Sequence, residues 1–349
     1  MRAWLAAALV VLSAVPAAAD LVLPAGFAAE PYVTGHGFDS GSERSLRGFP
    51  ATATLAFDAT GTLYLAKLGA RFRSGDVEDL SAIYRIPPGG ARLTPETEAR
   101  YFHGPPLKNP QVGAVRGRGE VWVTTYDRDR KIGALYRMAD GRPALFAGGT
   151  PAEGSPPLLQ HPEGVALDAA GRIYVADRDQ NAVVRLDATG RVVDRAYLAL
   201  SRPRMLTIDE RGQLWVGTDG TAETPFQDGA GQLWRVAPDG SPALVLQGPL
   251  PAGLTLSPAG FLFLSQRRAA RIFAVTPEGK RVDFATSTEG TFLRGLAFAP
   301  VTPETRRAGI AGDLFVAVVR RYAWMVNEIL RISGPFDEFV RLQSQAPTP

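Results

Sequence analysis

Apolar residues in this chain fall in short runs, each closed by Asp or Gly, and the runs return in a fixed order along nearly its whole length. Residues 164–187 display the unit. Gly164 to Leu167 is an apolar run that stops at a turn carrying Asp168 and Gly171; Ile173 to Ala176 is a second, ending at Asp177; Ala182 to Leu186 is a third, ending at Asp187 and Gly190. Short apolar runs bounded by such turns are strands, because Gly supplies positive φ and Asp bonds its own backbone. Val192 to Leu198 is more polar, as an outer strand should be.

A glycine followed three residues later by an aromatic recurs six times: Gly61…Tyr64, Gly119…Trp122, Gly171…Tyr174, Gly212…Trp215, Gly260…Phe263 and Gly312…Phe315. The glycines are 58, 52, 41, 48 and 52 residues apart. Periods of this size mark solenoids, propellers or arrays. The third run recurs too, as Ile83-Tyr84-Arg85-Ile86, Leu135-Tyr136-Arg137-Met138, Leu233-Trp234-Arg235-Val236, Ile272-Phe273-Ala274-Val275 and Ile329-Leu330-Arg331-Ile332. Four strands per unit and six units predict an all-β, six-bladed β-propeller of four-stranded antiparallel blades around a channel. Helical repeats are excluded, since no unit carries a useful run of period 3.6. The segment Phe27 to Val33 precedes the first unit and is predicted to pair in the last blade, which removes the open edges of an unclosed ring.

Length fits this picture: 349 residues hold six blades of about 50 residues as one domain, 20–349. The first 19 residues read as a secretory signal, with Arg2, an apolar core from Trp4 to Val15, and Ala17-Ala18-Ala19 before Asp20. The expectation is an exported, periplasmic protein without a membrane span. Cysteine is absent, so disulfides and thiolate metal sites are excluded. Removing Arg2 with the leader takes the basic count from 38 to 37, against 35 acidic residues. With no run of five like charges, nucleic acid is not an expected partner.

Propeller geometry sorts residues by face. The residue five before each hairpin-turn position should point at the channel mouth: Ala53, Gln111, Glu163, Arg204, Ala252 and Arg294. The residue three after each aromatic should lie at the same level: Lys67, Thr125, Asp177, Thr218, Gln266 and Val318. This mixed, slightly basic mouth suits an anionic or polyhydroxylated small molecule, with Lys67, Gln111, Arg204, Gln266, Arg294, Arg320 and Trp324 as candidate ligand contacts; a solvated ring without ligand is the plain alternative. Long loops are expected on the same face at Leu68 to Ser81 with Arg71, Phe72 and Arg73, at Asp219 to Gly231 with Phe226 and Asp228, and at Val319 to Asn327. The three histidines, His36, His103 and His161, all fall between blades. His161, two residues from Glu163, is the best placed for proton transfer.

The stretch His161-Pro162-Glu163-Gly164-Val165-Ala166-Leu167-Asp168, continued by Gly171-Arg172-Ile173-Tyr174-Val175-Ala176-Asp177 and Asn181, resembles an NHL repeat. The whole chain resembles the wider superfamily of six-bladed propellers that includes the senescence marker protein/gluconolactonase lactonases. That resemblance implies a divalent metal at the channel, calcium or zinc, polarising a lactone or ester carbonyl, with Glu163 and Asp177 as the matching ligands and His161, Glu163 and Asp177 as catalytic candidates. At other positions of the lactonase pattern this chain has Ala252-Gly253, Arg294-Gly295, Gln266 and Val318. A second resemblance rests on Leu23-Pro24-Ala25-Gly26-Phe27, on Gly312 to Ala317 with Glu328 to Ile332, and on Ser201-Arg202-Pro203-Arg204. These are similar to pyrroloquinoline-quinone sugar dehydrogenases, which implies a quinone cofactor near His161, Arg204, Arg294, Arg320 and Trp324. In the stretch after Phe315-Val316-Ala317, where those enzymes carry His-Gly, this chain has Val318-Val319-Arg320. NHL propellers also serve as protein-binding scaffolds, so hydrolase, quinoprotein and scaffold all stand at this point.

Overall fold

The computed structural model describes residues 21–36, 38–39, 45–46, 54–66, 80–221, 231–266, 270–287, 291–322 and 324–345. Six antiparallel sheets follow one another along the chain, each built around one glycine–aromatic motif, as the blades of a propeller. Blade 3 shows the logic. Its strands Pro162–Leu167, Ile173–Asp177, Ala182–Leu186 and Val192–Ala199 pair in sequence order. The first hairpin turns at Gly171, whose φ of +79° a side chain would strain. Asp168 holds that turn: its Oδ1 accepts the N–H groups of Ala170 and Arg172, and its Oδ2 faces the Tyr174 hydroxyl at 3.3 Å.

The motif aromatic has a purpose that the turn alone does not explain. Tyr64, Trp122, Tyr174, Trp215, Phe263 and Phe315 are all buried, and each sits in an apolar cluster shared with the following blade. Trp215 of blade 4, for example, packs with Leu262, Leu264 and Phe273 of blade 5. A blade cannot bury these faces by itself, so the period in the sequence is the period of the seams.

Ring closure agrees with expectation and extends it. Ala28–Gly35 pairs antiparallel with Trp324–Ser333 of blade 6, in the register Ala28↔Ser333 to Val33↔Ile329. Leu21–Val22 adds to the outer strand of blade 5. Ala91–Leu93 pairs parallel with Ala28–Gly35 rather than with Ile83–Ile86. Pro87 and Pro88 cannot donate to a ladder, so the chain leaves Ile83–Ile86 there rather than folding back on it. Blade 1 therefore shows three strands among the described residues, with a bridge from Tyr84 to Phe102 in the fourth position, while blades 5 and 6 have five.

Two helices and one hairpin depart from what the sequence predicts. α1, Pro303–Arg307, interrupts the blade 6 hairpin and is capped by Thr302 and Thr305. α2, Phe336–Gln345, follows the strand Trp324–Ser333 of blade 6. Its Phe336 joins Phe27, Phe263, Phe284 and Phe298 in an edge-to-face aromatic cluster across the blade 5–6 seam. The segment Val319 to Asn327, expected as a loop, is ladder: Leu314–Tyr322 and Trp324–Ser333 pair continuously from Leu314↔Ile332 to Tyr322↔Trp324. Its Val, Tyr, Trp and Met content favours a pleated surface over a loop.

Candidate functional site

The inner strands of blades 2 to 6 all break register at the end facing the channel mouth. The breaks lie between Val112 and Ala114, Pro162 and Val165, Pro203 and Met205, Pro251 and Gly253, and Leu293 and Leu296. A bulge of this kind re-aims a side chain beside a site. The positions that the ladder register skips include Glu163, Arg204, Ala252 and Arg294, four of the six positions expected at the mouth. Neighbouring inner strands approach closely here. A Cβ on Gly164 would stand 2.4 Å from the Arg204 carbonyl oxygen, so only glycine admits the contact that sets Glu163 beside Arg204.

Blades 3 and 4 carry a closed ring of alternating charge. Arg204 Nε donates to Glu163 Oε2 at 2.7 Å, and Arg204 Nη1 to Asp219 Oδ1 at 3.5 Å. Arg178 closes the circuit, with Nε 3.5 Å from Asp219 Oδ2 and Nη1 3.9 Å from Glu163 Oε1. Glu163 and Asp219 are buried at 2% and 0% exposure. The guanidiniums reach the surface slightly, at 14% for the Arg178 side chain and 11% for Arg204. Beside the ring, the His161 imidazole stacks on Tyr126 with centroids 3.9 Å apart and planes 3° from parallel. Its Nε2 lies 3.6 Å from Glu163 Oε1 and its Nδ1 3.3 Å from Asp179 Oδ1.

Burial sets the protonation pattern, with the charges correcting it. Desolvation pushes the His161 pKa below its ordinary value; Arg178 and Arg204 act the same way, and Glu163 with Asp179 only partly offsets them. Burial alone would raise the Glu163 carboxyl, yet Arg204, His161 and Arg178 together hold it below the usual carboxylate range. Asp219 goes the other way: burial, helped by Glu163, lifts it in spite of Arg204 and Arg178. A neutral imidazole thus stands beside an ionised Glu163.

Asp177 does not face this ring. Its Oδ2 accepts from the Gln160 N–H at 2.6 Å and Gln180 Nε2 at 2.8 Å, and its Oδ1 from the N–H groups of His161 and Gln180. It fixes the backbone that carries His161. The residues that do reach the site lie four after the motif aromatic rather than three: Tyr126 on the second strand of blade 2, and Arg178 and Asp219 at the first position past the second strands of blades 3 and 4. Thr125, Asp177 and Thr218, one residue earlier, are buried. Sequence reasoning misses Arg178, Asp179 and Tyr126 for this reason, although the same count moved by one residue finds Tyr126 and Arg178.

Gln111, Gln266 and Arg294 sit at corresponding places in blades 2, 5 and 6. Lys67, Ala53, Arg71, Phe72, Arg73, Phe226 and Asp228 lie outside the described residues, and Arg320 and Trp324 are placed by their backbone pairing alone. His103 is buried far from this ring, edge-on to Tyr64, and His36 bonds through its N–H to the Leu93 carbonyl. Among the described residues no group of three His, Asp or Glu side chains is arranged to hold a metal ion. A divalent cation implied by the lactonase resemblance does not fit Glu163 and Asp177, since Asp177 is spent on N–H donors and Glu163 on guanidinium. No helix among the described residues is long and apolar enough to cross a membrane.

Residues 159–186 match the family model of the NHL repeat, the stretch that bears His161, Glu163, Asp177 and Arg178. Among solved structures, the chain is similar to a catalytically inactive virginiamycin B lyase from Staphylococcus aureus with quinupristin, at 13% identity over 88% of this chain and 99% of that one, with a TM-score of 0.50. A protein of unknown function from Bacteroides thetaiotaomicron is similar at 12% identity over 88% and 76%, with a TM-score of 0.55. A gluconolactonase from Xanthomonas campestris shares 16% identity over 62% and 90%, with a TM-score of 0.39. No curated protein sequence matches the chain. At these identities the likeness is one of fold: the chain is a six-bladed β-propeller carrying an NHL repeat.

Proposed function

We propose that the protein is an exported propeller whose mouth at blades 2 to 4 binds a small, oxygen-rich molecule of sugar-acid or lactone type, with His161 exchanging a proton with it. One observation carries the reading. Arg204 Nη2 and Arg178 Nη2 make no hydrogen bond among the described residues, and the two side chains keep 11% and 14% of their surface exposed. Guanidinium donors left without a hydrogen-bond acceptor are suited to carbonyl, carboxylate or hydroxyl oxygens. The ring itself balances two cations against two carboxylates, which favours a neutral or singly charged ligand over a phosphate.

In its hydrolytic form the chemistry runs through His161. A water oxygen bonds to the lactone or ester carbonyl carbon while its proton passes to His161 Nε2. The carbonyl oxygen gathers negative charge beside the guanidiniums, the C–O bond to the leaving alkoxide breaks, and His161 returns the proton to that alkoxide. Glu163 and Asp179 flank the imidazolium that forms. Export is supported by the leader-like composition of residues 1–19.

Calorimetry against gluconate, gluconolactone and pyrroloquinoline quinone tests the reading. Gluconolactone or gluconate should bind, Arg178→Gln should weaken that binding by about tenfold or more, and His161→Gln should retain binding while losing turnover. Preferential uptake of the quinone with a visible chromophore would select a dehydrogenase instead. Binding of none of the three would make the mouth a protein-docking surface.

A further inference from the structure

We infer that the guanidinium pair of Arg178 and Arg204 takes the place of a divalent cation at the channel mouth, so that the positive centre offered to a substrate oxygen is organic and permanent. This rests on the reading of the mouth as a small-molecule site and specifies what would polarise the ligand there.

The charge count is the first ground. Two guanidiniums carry the charge of one divalent ion and are shared between the same two buried carboxylates, Glu163 and Asp219. All four carboxylate oxygens face a guanidinium nitrogen: Glu163 Oε2 at 2.7 Å, Glu163 Oε1 at 3.9 Å, and the two oxygens of Asp219 at 3.5 Å each. A hard cation needs six or more oxygens free to turn toward it, and this ring supplies none without displacing an arginine. Bringing a further double charge among two fixed cations in a buried setting is strongly unfavourable.

Directionality is the second ground. A bound metal presents an open coordination position, whereas these arginines present two terminal nitrogens, Arg204 Nη2 and Arg178 Nη2, that make no hydrogen bond within the described part of the protein. Arg204 is held by Glu163 through Nε and by Asp219 through Nη1, so its plane is fixed by two partners and Nη2 is the nitrogen not engaged by either. A planar donor fork recognises a carbonyl or carboxylate oxygen by two parallel N–H bonds and does not depend on supply of an ion.

Equilibrium dialysis of the full chain against calcium and against zinc tests the inference without an activity assay. The wild type should take up neither ion stoichiometrically, and Arg178→Gln with Arg204→Gln should gain one equivalent, because it frees Glu163 and Asp219. A double variant that folds only when calcium or zinc is present supports the inference equally. Stoichiometric uptake by the wild type that disappears in Glu163→Gln would overturn it, as would a folded double variant that binds neither ion. If the double variant folds under neither condition, the wild-type uptake and that of Arg178→Gln decide: no uptake by the first and some by the second supports the inference, and uptake by the first or by neither overturns it. Failure of every sugar ligand in calorimetry would leave these ion measurements unchanged, so the two readings fail separately.

Discussion

The blade 3–4 rim and the blade 5–6 seam join neighbouring blades by opposite means. At the rim, Glu163 and Arg204 reach across the boundary as buried ions, closed into a ring by Arg178 and Asp219. At the seam, Phe27, Phe263, Phe284, Phe298 and Phe336 meet edge to face with centroids 4.9 to 5.7 Å apart. Apolar packing at the seam is non-directional, and another side chain of similar volume can replace a lost one in part. The rim has no such tolerance, since removing one ion leaves its partner buried and uncompensated. Blade 5 makes the contrast sharper, because its own bulge carries Ala252 where blades 3 and 4 carry Glu163 and Arg204. The same backbone device is present without the charges.

The largest effect should come from the rim. Glu163→Ala should lower unfolding free energy in urea by about 3–5 kcal/mol, leaving Arg204 buried without its closest partner. Adding Arg204→Ala should cost much less than the sum of the two single losses, because the pair acts as a unit. If the two losses instead add, the ring is not coupled and the comparison breaks.

Next comes the seam. Phe336→Ala should cost about 3 kcal/mol by the same denaturation, and Phe336→Leu should recover most of it. Neither change should alter ligand binding in calorimetry. A binding defect in Phe336→Leu would show that the two regions communicate.

A smaller loss, about 1–2 kcal/mol, is expected for Asp177→Asn, since an amide can accept only half of the N–H bonds gathered by that carboxylate. Turnover should fall further than stability does, because those bonds fix the backbone of His161 and, through the His161 carbonyl, the N–H of Arg178.

The smallest expected effect is a pH slope. The folded pKa of His161 lies below its unfolded value, so the unfolded chain binds the extra proton more readily between the two. Stability should therefore fall as pH drops from about 6.5 toward the folded value. In His161→Gln that slope should become shallower, as read from urea midpoints at neutral and mildly acidic pH; it should not vanish, because burial lowers the His103 pKa in the same direction. Glu163, with a lowered folded pKa, adds stability above its unfolded value of about 4.3 that is lost only in stronger acid, and Asp219 has the opposite sign. Phe336→Ala should leave both regimes as they are in the wild type.

How much of the fold and site is legible in the sequence depends on whether local or long-range geometry decides. The glycine–aromatic spacing reveals the blades because each turn is closed by its own Asp or Gly, within a few residues. The inner-strand rule finds Glu163 and Arg204 because it counts from such a turn. Counting from the aromatic along the second strand misses by one residue, because it stops at the last strand residue, Asp177, while Arg178 is the first beyond it. The metal reading falls with it, because a carboxylate in sequence does not reveal which groups already occupy its oxygens. α2 is foreshadowed by Pro335 ahead of Asp337 and Glu338. The parallel pairing of Ala91–Leu93 is not, because its partner lies beyond the blade boundary.

Ring closure also sets an order in time. Glu30 bonds to Arg331 across 301 residues of chain, in the ladder that joins the strand Ala28–Gly35 to blade 6. During synthesis that strand emerges long before its partner exists, and bringing the two together costs about 5 kcal/mol of loop entropy if nothing between them has folded. Blades 2 to 4, whose strands pair with their own neighbours in sequence, can form earlier and shorten the effective loop. A ribosome that stalls before Trp324 would leave Ala28–Gly35 with an unsatisfied edge in solution, open to pairing with another chain. The strand that makes the finished ring secure is thus the one that exposes the growing chain to aggregation for longest.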